Sequence, residues 1–320
     1  MITLGFIYTL AGLLFAAVAI VNFRDRTNPK RYKSALFWGV YAITFLFGSY
    51  LPNLVNGILV LVMVVAAGIG GLGRSSAPTT SAEERAASAA RWGNRLFIPA
   101  LTIPVITVAG TLGLKYIEIG GVPLVDPKQI TLVSLGIAVI VALVVGLVML
   151  RPPIATPITE GRRLLDSVGW AAALPQMLAA LGALFAVAGV GKVVAALVTS
   201  VIPADNSFAV VAAFTIGMAL FTVIMGNGFA AFPVMTVGIG LPLIVQKLGG
   251  DATVMAAIGM LSGFCGTLMT PMAANFNIVP AALLELPDRN GVIKAQAPTG
   301  IILLAANTIL MYLLVFRHWG

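Results

Sequence analysis

The sequence predicts an all-α, polytopic membrane protein, on three observations. Of 320 residues, 59% are hydrophobic and only 9% charged, against about 25% charged in soluble domains. Mean hydropathy is +1.03. Charge-free apolar runs recur at about 20 residues, the length that crosses a hydrocarbon core roughly 30 Å thick.

Taken in order, spans are expected at Ile2–Val21, Ser34–Tyr50, Leu54–Leu72, Leu96–Leu114, Ile130–Leu150 and Val168–Val190. The first is expected to be a retained span rather than a cleaved signal, because the basic cluster follows the run and no small-residue cleavage site ends it. A more complicated region covers Ser207–Leu284, and a last span lies near Gly300–Phe316.

A net charge of +8 and a pI near 9.9 would suggest nucleic acid in a soluble chain. Here the charge sorts by loop. Arg24, Arg26, Lys30, Arg31 and Lys33 follow the first span; Arg74, Arg85, Arg91 and Arg95 follow the third; Arg151, Arg162 and Arg163 follow the fifth. Those alternate loops are expected in the cytoplasm of a bacterial cell, with the N-terminus outside the inner membrane. No nucleic-acid partner is expected.

Several chemistries are excluded on residue counts. One cysteine, Cys265, and one histidine, His318, near the C-terminus, leave no ligand set for a metal cluster and no Ser-His-Asp or Cys-His group without the tail folding back. An enzyme is therefore not expected, nor a catalytic residue. The Gly68-Ile-Gly70-Gly-Leu-Gly73 match to a dinucleotide fingerprint ends an apolar span instead of following a strand, so it reads as close helix packing. All eleven acids fall in loops or at span ends, so no Asp or Glu at mid-span is offered for proton relay.

The polar exceptions concentrate in Ser207–Leu284. A first apolar run, Ser207–Met225, meets Gly226-Asn227-Gly228 and continues as Phe229–Gln246. These limbs suit either two full spans or a re-entrant hairpin, and charge does not separate the two. A second run, Ala252–Cys265, is too short to cross and is interrupted by Gly266, Thr267, Thr270, Pro271, Asn275 and Asn277 before Ala281–Leu284; only together do the two pieces make one span. Proline removes a donor and clashes one turn back, and glycine permits a turn with positive φ. Backbone groups so released survive at depth only when buried in protein or lining a cavity. Discontinuous helices of carriers use such breaks to face an anion with a helix N-terminus and a cation with free carbonyls.

The stretches "MGNGFAAFPV" and "GTLMTPMAANFNIVPAALL" resemble the second half of the ion transporter superfamily, the group of divalent-anion/sodium symporters and, more distantly, gluconate- and citrate-type permeases. The whole chain also resembles an uncharacterised bacterial inner-membrane family in that group, often encoded beside a second, smaller membrane protein and sometimes beside 5-oxoproline-processing enzymes. The resemblance implies a hairpin tip at Gly226, Asn227 and Gly228 and a broken helix carrying Thr270-Pro271 and Asn275. It implies an elevator-type carrier half of about 8 spans plus one re-entrant hairpin. Met1–Ile158 would be scaffold, and residues 159–320 a transport-type repeat with hairpin 207–246, broken helix 252–284 and last span 300–316. The tip departs from the group's usual Ser-Asn-Thr by having glycine on both sides of Asn227.

The expected substrate is a small organic anion, a carboxylate such as 5-oxoproline, held by Gly226, Asn227, Gly228, Gly266, Thr267, Thr270, Pro271, Asn275 and Asn277. No cofactor is expected, and Na+ is expected as coupling ion because no acid lies in a span. The first 158 residues hold no second break of this kind. A second membrane subunit with the inverted repeat is therefore the expected partner, with a homodimer as the less favoured way to close the site. The alternatives are a non-transporting accessory or assembly subunit, which would not need polar groups at depth, and a channel, for which the first five spans supply no polar path.

Overall fold

The computed structural model describes residues 1–320 apart from 74, 77–79, 154, 202, 204 and 318–320; Arg74 and His318 thus lie outside the described residues. The chain forms two compact units, Met1–Asp166 and Ser167–Gly320.

In the first unit, α1 (Leu4–Arg24), α2 (Arg31–Phe47) and α3 (Asn53–Gly68) are followed by α4 (Ala82–Trp92), α5 (Phe97–Gly113), α6 (Ile130–Leu150) and α7 (Thr156–Val168), which runs across the boundary. α1 packs along α2 through rings: Phe15 lies 5.7 Å from Trp38, 4.7 Å from Tyr41 and 5.2 Å from Phe45 by centroid. Such offset and edge contacts add to the large apolar area each ring buries. Gly12 makes the approach close, since a Cβ there would sit 2.6 Å from Leu46 Cγ. Helix α4 starts with a capping box between Ser81 and Glu84, which satisfies two orphan donors reciprocally. It is charged and exposed. In the loop between α5 and α6, β1 (Glu118–Ile119) and β2 (Val122–Pro123) form a two-stranded antiparallel ribbon.

The first unit ends at Asp166, within α7. Its inner face buries Arg162 and Asp166. Arg162 bonds Asp25 through Nη1 and Ser75 through Nη2 at 3.1 Å. Burial raises the Asp25 carboxyl, but hydrogen bonds from Ser75, Thr27 and Arg162 outweigh it and hold the group well below the usual carboxylate range.

The second unit contains α8 (Leu174–Val187), α9 (Val190–Val201), α10 (Ser207–Met225) and α11 (Gly228–Met235), which runs on as a π-helix over Thr236–Lys247. Then come α12 (Ala252–Thr267), α13 (Ala274–Leu283) and α14 (Gly291–Val315). Val210, Phe214, Met218, Ile239, Met255 and Met311 are among the buried side chains of one core, to which α10, the π-helix, α12 and α14 contribute. Over the expected span Val168–Val190, a 3-10 turn at Gly169–Ala173 leads directly into α8. Gly169 at φ +57° and Gly189 at φ +71° mark the two ends of this run, the second just before α9, because only glycine adopts that backbone at little cost. Helix α9, at 12 residues, is about 18 Å long, short of a crossing, whereas α8 is lengthened by the 3-10 turn that precedes it. They lie on α11 and the π-helix through small residues: a Cβ on Gly182 would be 2.9 Å from Ala230 Cα, and one on Gly191 2.9 Å from the Val234 carbonyl.

Six helical stretches among the described residues are long and apolar enough to cross a membrane: Leu4–Arg24, Glu83–Tyr116, Ile130–Leu150, Ser207–Met225, Gly228–Lys247 and Gly291–Val315. The protein is an all-α membrane protein. Two stretches differ from the rest. Ser207–Met225 and Gly228–Lys247 are 44% and 50% buried within the protein, the other four 22% or less, so the limbs flanking Asn227 form the interior of their unit.

Candidate functional site

The site is built from two helix breaks. At the first, α10 ends on Gly226, left-handed at φ +74°, and Asn227 is extended at φ −149° and ψ 120°. Asn227 then caps α11, its Oδ1 accepting from the Phe229 N–H at 2.8 Å. This supplies one partner for the first-turn N–H groups that no helix can satisfy internally.

At the second, α12 ends at Thr267 and α13 begins at Ala274. Thr270 to Ala273 form a turn, the Ala273 N–H donating to the Thr270 carbonyl at 3.3 Å. Pro271 takes the position whose φ a pyrrolidine ring presets. The released carbonyls are claimed by one side chain: Asn277 Nδ2 donates to Thr267 O at 2.8 Å and to Thr270 O at 2.6 Å, and Asn277 Oδ1 accepts from Gln296 of α14.

The breaks meet. Thr270 Oγ1 donates to the Val223 carbonyl near the end of α10 at 2.8 Å. A Cβ on Gly226 would lie 2.4 Å from the Met272 carbonyl oxygen, so the two irregular backbones are in contact. Gly266 brings α12 equally close to α10, where a Cβ would be 2.3 Å from the Ala219 carbonyl.

Between the breaks lies a cavity of about 190 Å³. Its polar lining comes from Asn227, Thr267 and Asn275 with the backbone of Gly226 and Gly228; Phe229, Phe264, Phe276 and Met272 line the rest, with Leu174 at the start of α8. Of the nine residues singled out by sequence, five line this space. Gly266, Thr270, Pro271 and Asn277 do not; they shape the walls. Asn275 sits exposed in the first turn of α13, whose N-cap position, Ala273, offers no side-chain acceptor. The cavity therefore receives the N-terminal turns of α11 and α13, each with partial positive charge, and no charged side chain among the described residues lines it. Sequence reasoning missed Leu174 and the aromatic residues, which carry no polar signal in an apolar chain.

The fold and this site define an all-α membrane protein with a largely apolar cavity, carrying a few neutral polar groups, at paired helix breaks. The chain belongs to the DUF979 family, described as a protein of unknown function, whose profile matches residues 5–316. Neither a curated protein nor a solved structure matches the chain.

Proposed function

We propose that the protein is one half of an elevator-type secondary carrier that moves a small organic anion, a carboxylate of the size of 5-oxoproline, across the bacterial inner membrane. The carrying observation is the cavity where the N-terminal turns of α11 and α13 converge with no acidic or basic side chain among the described lining residues. A carboxylate there accepts from uncapped N–H groups, with Asn227, Asn275 and Thr267 as neutral partners, while Phe229, Phe264 and Phe276 suit an apolar ring or short chain. Na+ is the coupling ion on this reading; the Thr267 and Thr270 carbonyls are already taken by Asn277, so Na+ would rely on the remaining oxygens of the breaks. The N-terminus faces outward, on the placement of the basic loops.

The second half of the site comes from another chain. In the first unit α5 stays helical through Pro104, and among the described residues no helix there is interrupted as α12 and α13 are. A second membrane subunit with its own inverted breaks is the favoured partner, a second copy of this chain the less favoured one.

Proteoliposomes containing this chain together with its co-purifying subunit are expected to accumulate a small carboxylate under an inward Na+ gradient. Asn227→Ala and Asn275→Ala are each expected to reduce uptake about tenfold or more, the equivalent of about 1.4 kcal/mol, at normal membrane yield. Uptake unchanged in both variants would support an accessory subunit instead, and uptake driven only by a proton gradient would remove Na+ from the scheme.

A further inference from the structure

Asp166 belongs to no part of the cavity, yet it is 6% exposed and packs against Asn22, which is fully buried. Its Oδ1 accepts from Asn22 Nδ2 at 3.1 Å and from the Trp38 indole N–H at 3.0 Å. The amide's orientation is fixed by a second bond, Asn22 Nδ2 donating to the Val18 carbonyl at 3.2 Å. Two acceptors remain buried without a hydrogen-bond partner: Asp166 Oδ2 and Asn22 Oδ1.

These two atoms are the complementary ends of an acid–amide pair. An ionised carboxylate can take the amide N–H on one oxygen, but sets its other oxygen against the amide oxygen, acceptor to acceptor. A neutral carboxyl matches at both ends, because its O–H donates where the ionised form only accepts. Buried polar groups are very largely paired in folded proteins, and one proton on the carboxyl pairs both atoms at once without moving a side chain.

The surrounding charge leaves the decision to burial, the attraction of Arg162 being partly offset by the repulsion of Asp25. The charged groups acting on Asp166 are Arg162, one turn earlier on α7, and Asp25, at the end of α1; α2 contributes the neutral indole of Trp38. Arg162 directs its Nη1 to Asp25 rather than to Asp166, so its attraction for Asp166 acts without a direct bond.

We propose that Asp166 is a proton-binding site of the N-terminal unit, held as the neutral acid with Oδ2–H donated to Asn22 Oδ1. Deprotonation passes the proton to water at the loop ends around Asp25 and Ser75, the side on which the basic loops lie. Burial, the largest influence, pushes the carboxyl above its ordinary range, against the bonds from Trp38 and Asn22 and the attraction of Arg162. The site makes this unit responsive to acidity on that side, and it does not depend on the carrier reading.

The test is infrared difference spectroscopy of the full chain in lipid nanodiscs across a pH titration. A protonated-carboxyl C=O band is expected whose midpoint lies above the ordinary carboxylate range, absent from Asp166→Asn. That variant mimics the neutral state, with its amide donating to Asn22 Oδ1, and is expected to fold. Because the folded-state pKa is raised, the proton's stabilisation is complete below the unfolded value and is lost as pH rises through the folded one. The unfolding temperature of the wild type should accordingly fall relative to Asp166→Asn as pH rises. Should Asp166→Asn fail to fold, the fluorescence difference between wild type and Trp38→Phe should still titrate with the band. A carboxylate that stays ionised across the titration, as it would with water joining Asp166 Oδ2, Asn22 Oδ1 and Arg162 Nε, overturns the proposal.

Discussion

Gly226→Ala is expected to lose ligand binding at the cavity and to lower the apparent unfolding temperature in detergent by several degrees, while Gly228→Ala leaves that temperature near wild type. The two glycines flank the same asparagine, but their surroundings differ. Gly226 is left-handed at φ +74°, a conformation that costs an L-residue roughly 1–2 kcal/mol. Its added Cβ would also fall 2.4 Å from the Met272 carbonyl oxygen and 2.6 Å from its carbon, and backbone atoms there move only by shifting the second break. At Gly228, φ is ordinary and the nearest atom is 3.6 Å away. Differential scanning fluorimetry on the purified pair of variants measures the contrast. Equal losses in both would mean that flexibility at the turn, rather than contact between the breaks, is what the glycines provide.

Asn277→Leu is expected to be more damaging still, because the buried amide serves three partners at once. The Thr267 and Thr270 carbonyls would lose their donor, and the Gln296 amide its acceptor. Each buried group left unpaired costs roughly 1–3 kcal/mol, and the asparagine is fully buried, so little water replaces what is lost. The expected result is a chain that inserts but unfolds at markedly lower temperature and loses cavity ligand binding with it. Asn277→Asp separates the contributions: it keeps the acceptor for Gln296 and removes both donors. If Asn277→Leu unfolds at the wild-type temperature, the break is held by Thr270 and its bond to Val223 alone.

The breaks were legible in the sequence because glycine, proline, threonine and asparagine are costly inside an apolar helix, so their clustering at 226–228 and 266–277 marked irregular backbone. Hydrogen-bond geometry was not legible. Asn275 and Asn277 are two residues apart and chemically identical, yet one lines the cavity and the other is spent on carbonyls, a division set by the pitch of α13 and the position of Gln296. The turns at the ends of Val168–Val190 were not legible for a related reason: its leucines and alanines suit a helix, and Gly169 and Gly189 reveal their positive φ only where the chain turns. The burial of Asp166 was hidden as well. In "TEGRRLLDSV" it reads as one charge among several at a span end, and only the packing of α7 in the first unit sets it against Asn22 and Trp38.

The uncharged lining of the cavity also has a use as a measuring device. Asn227, Thr267, Asn275 and the surrounding phenylalanines keep one protonation state over the whole range in which a protein stays folded. The cavity wall is thus silent to hydrogen ions, and the occupant alone can speak. A curve of affinity against pH, taken in an Asp166→Asn background, becomes an acidity titration of the guest molecule, and its midpoint reads out the ionising group of a substrate before that substrate has been identified.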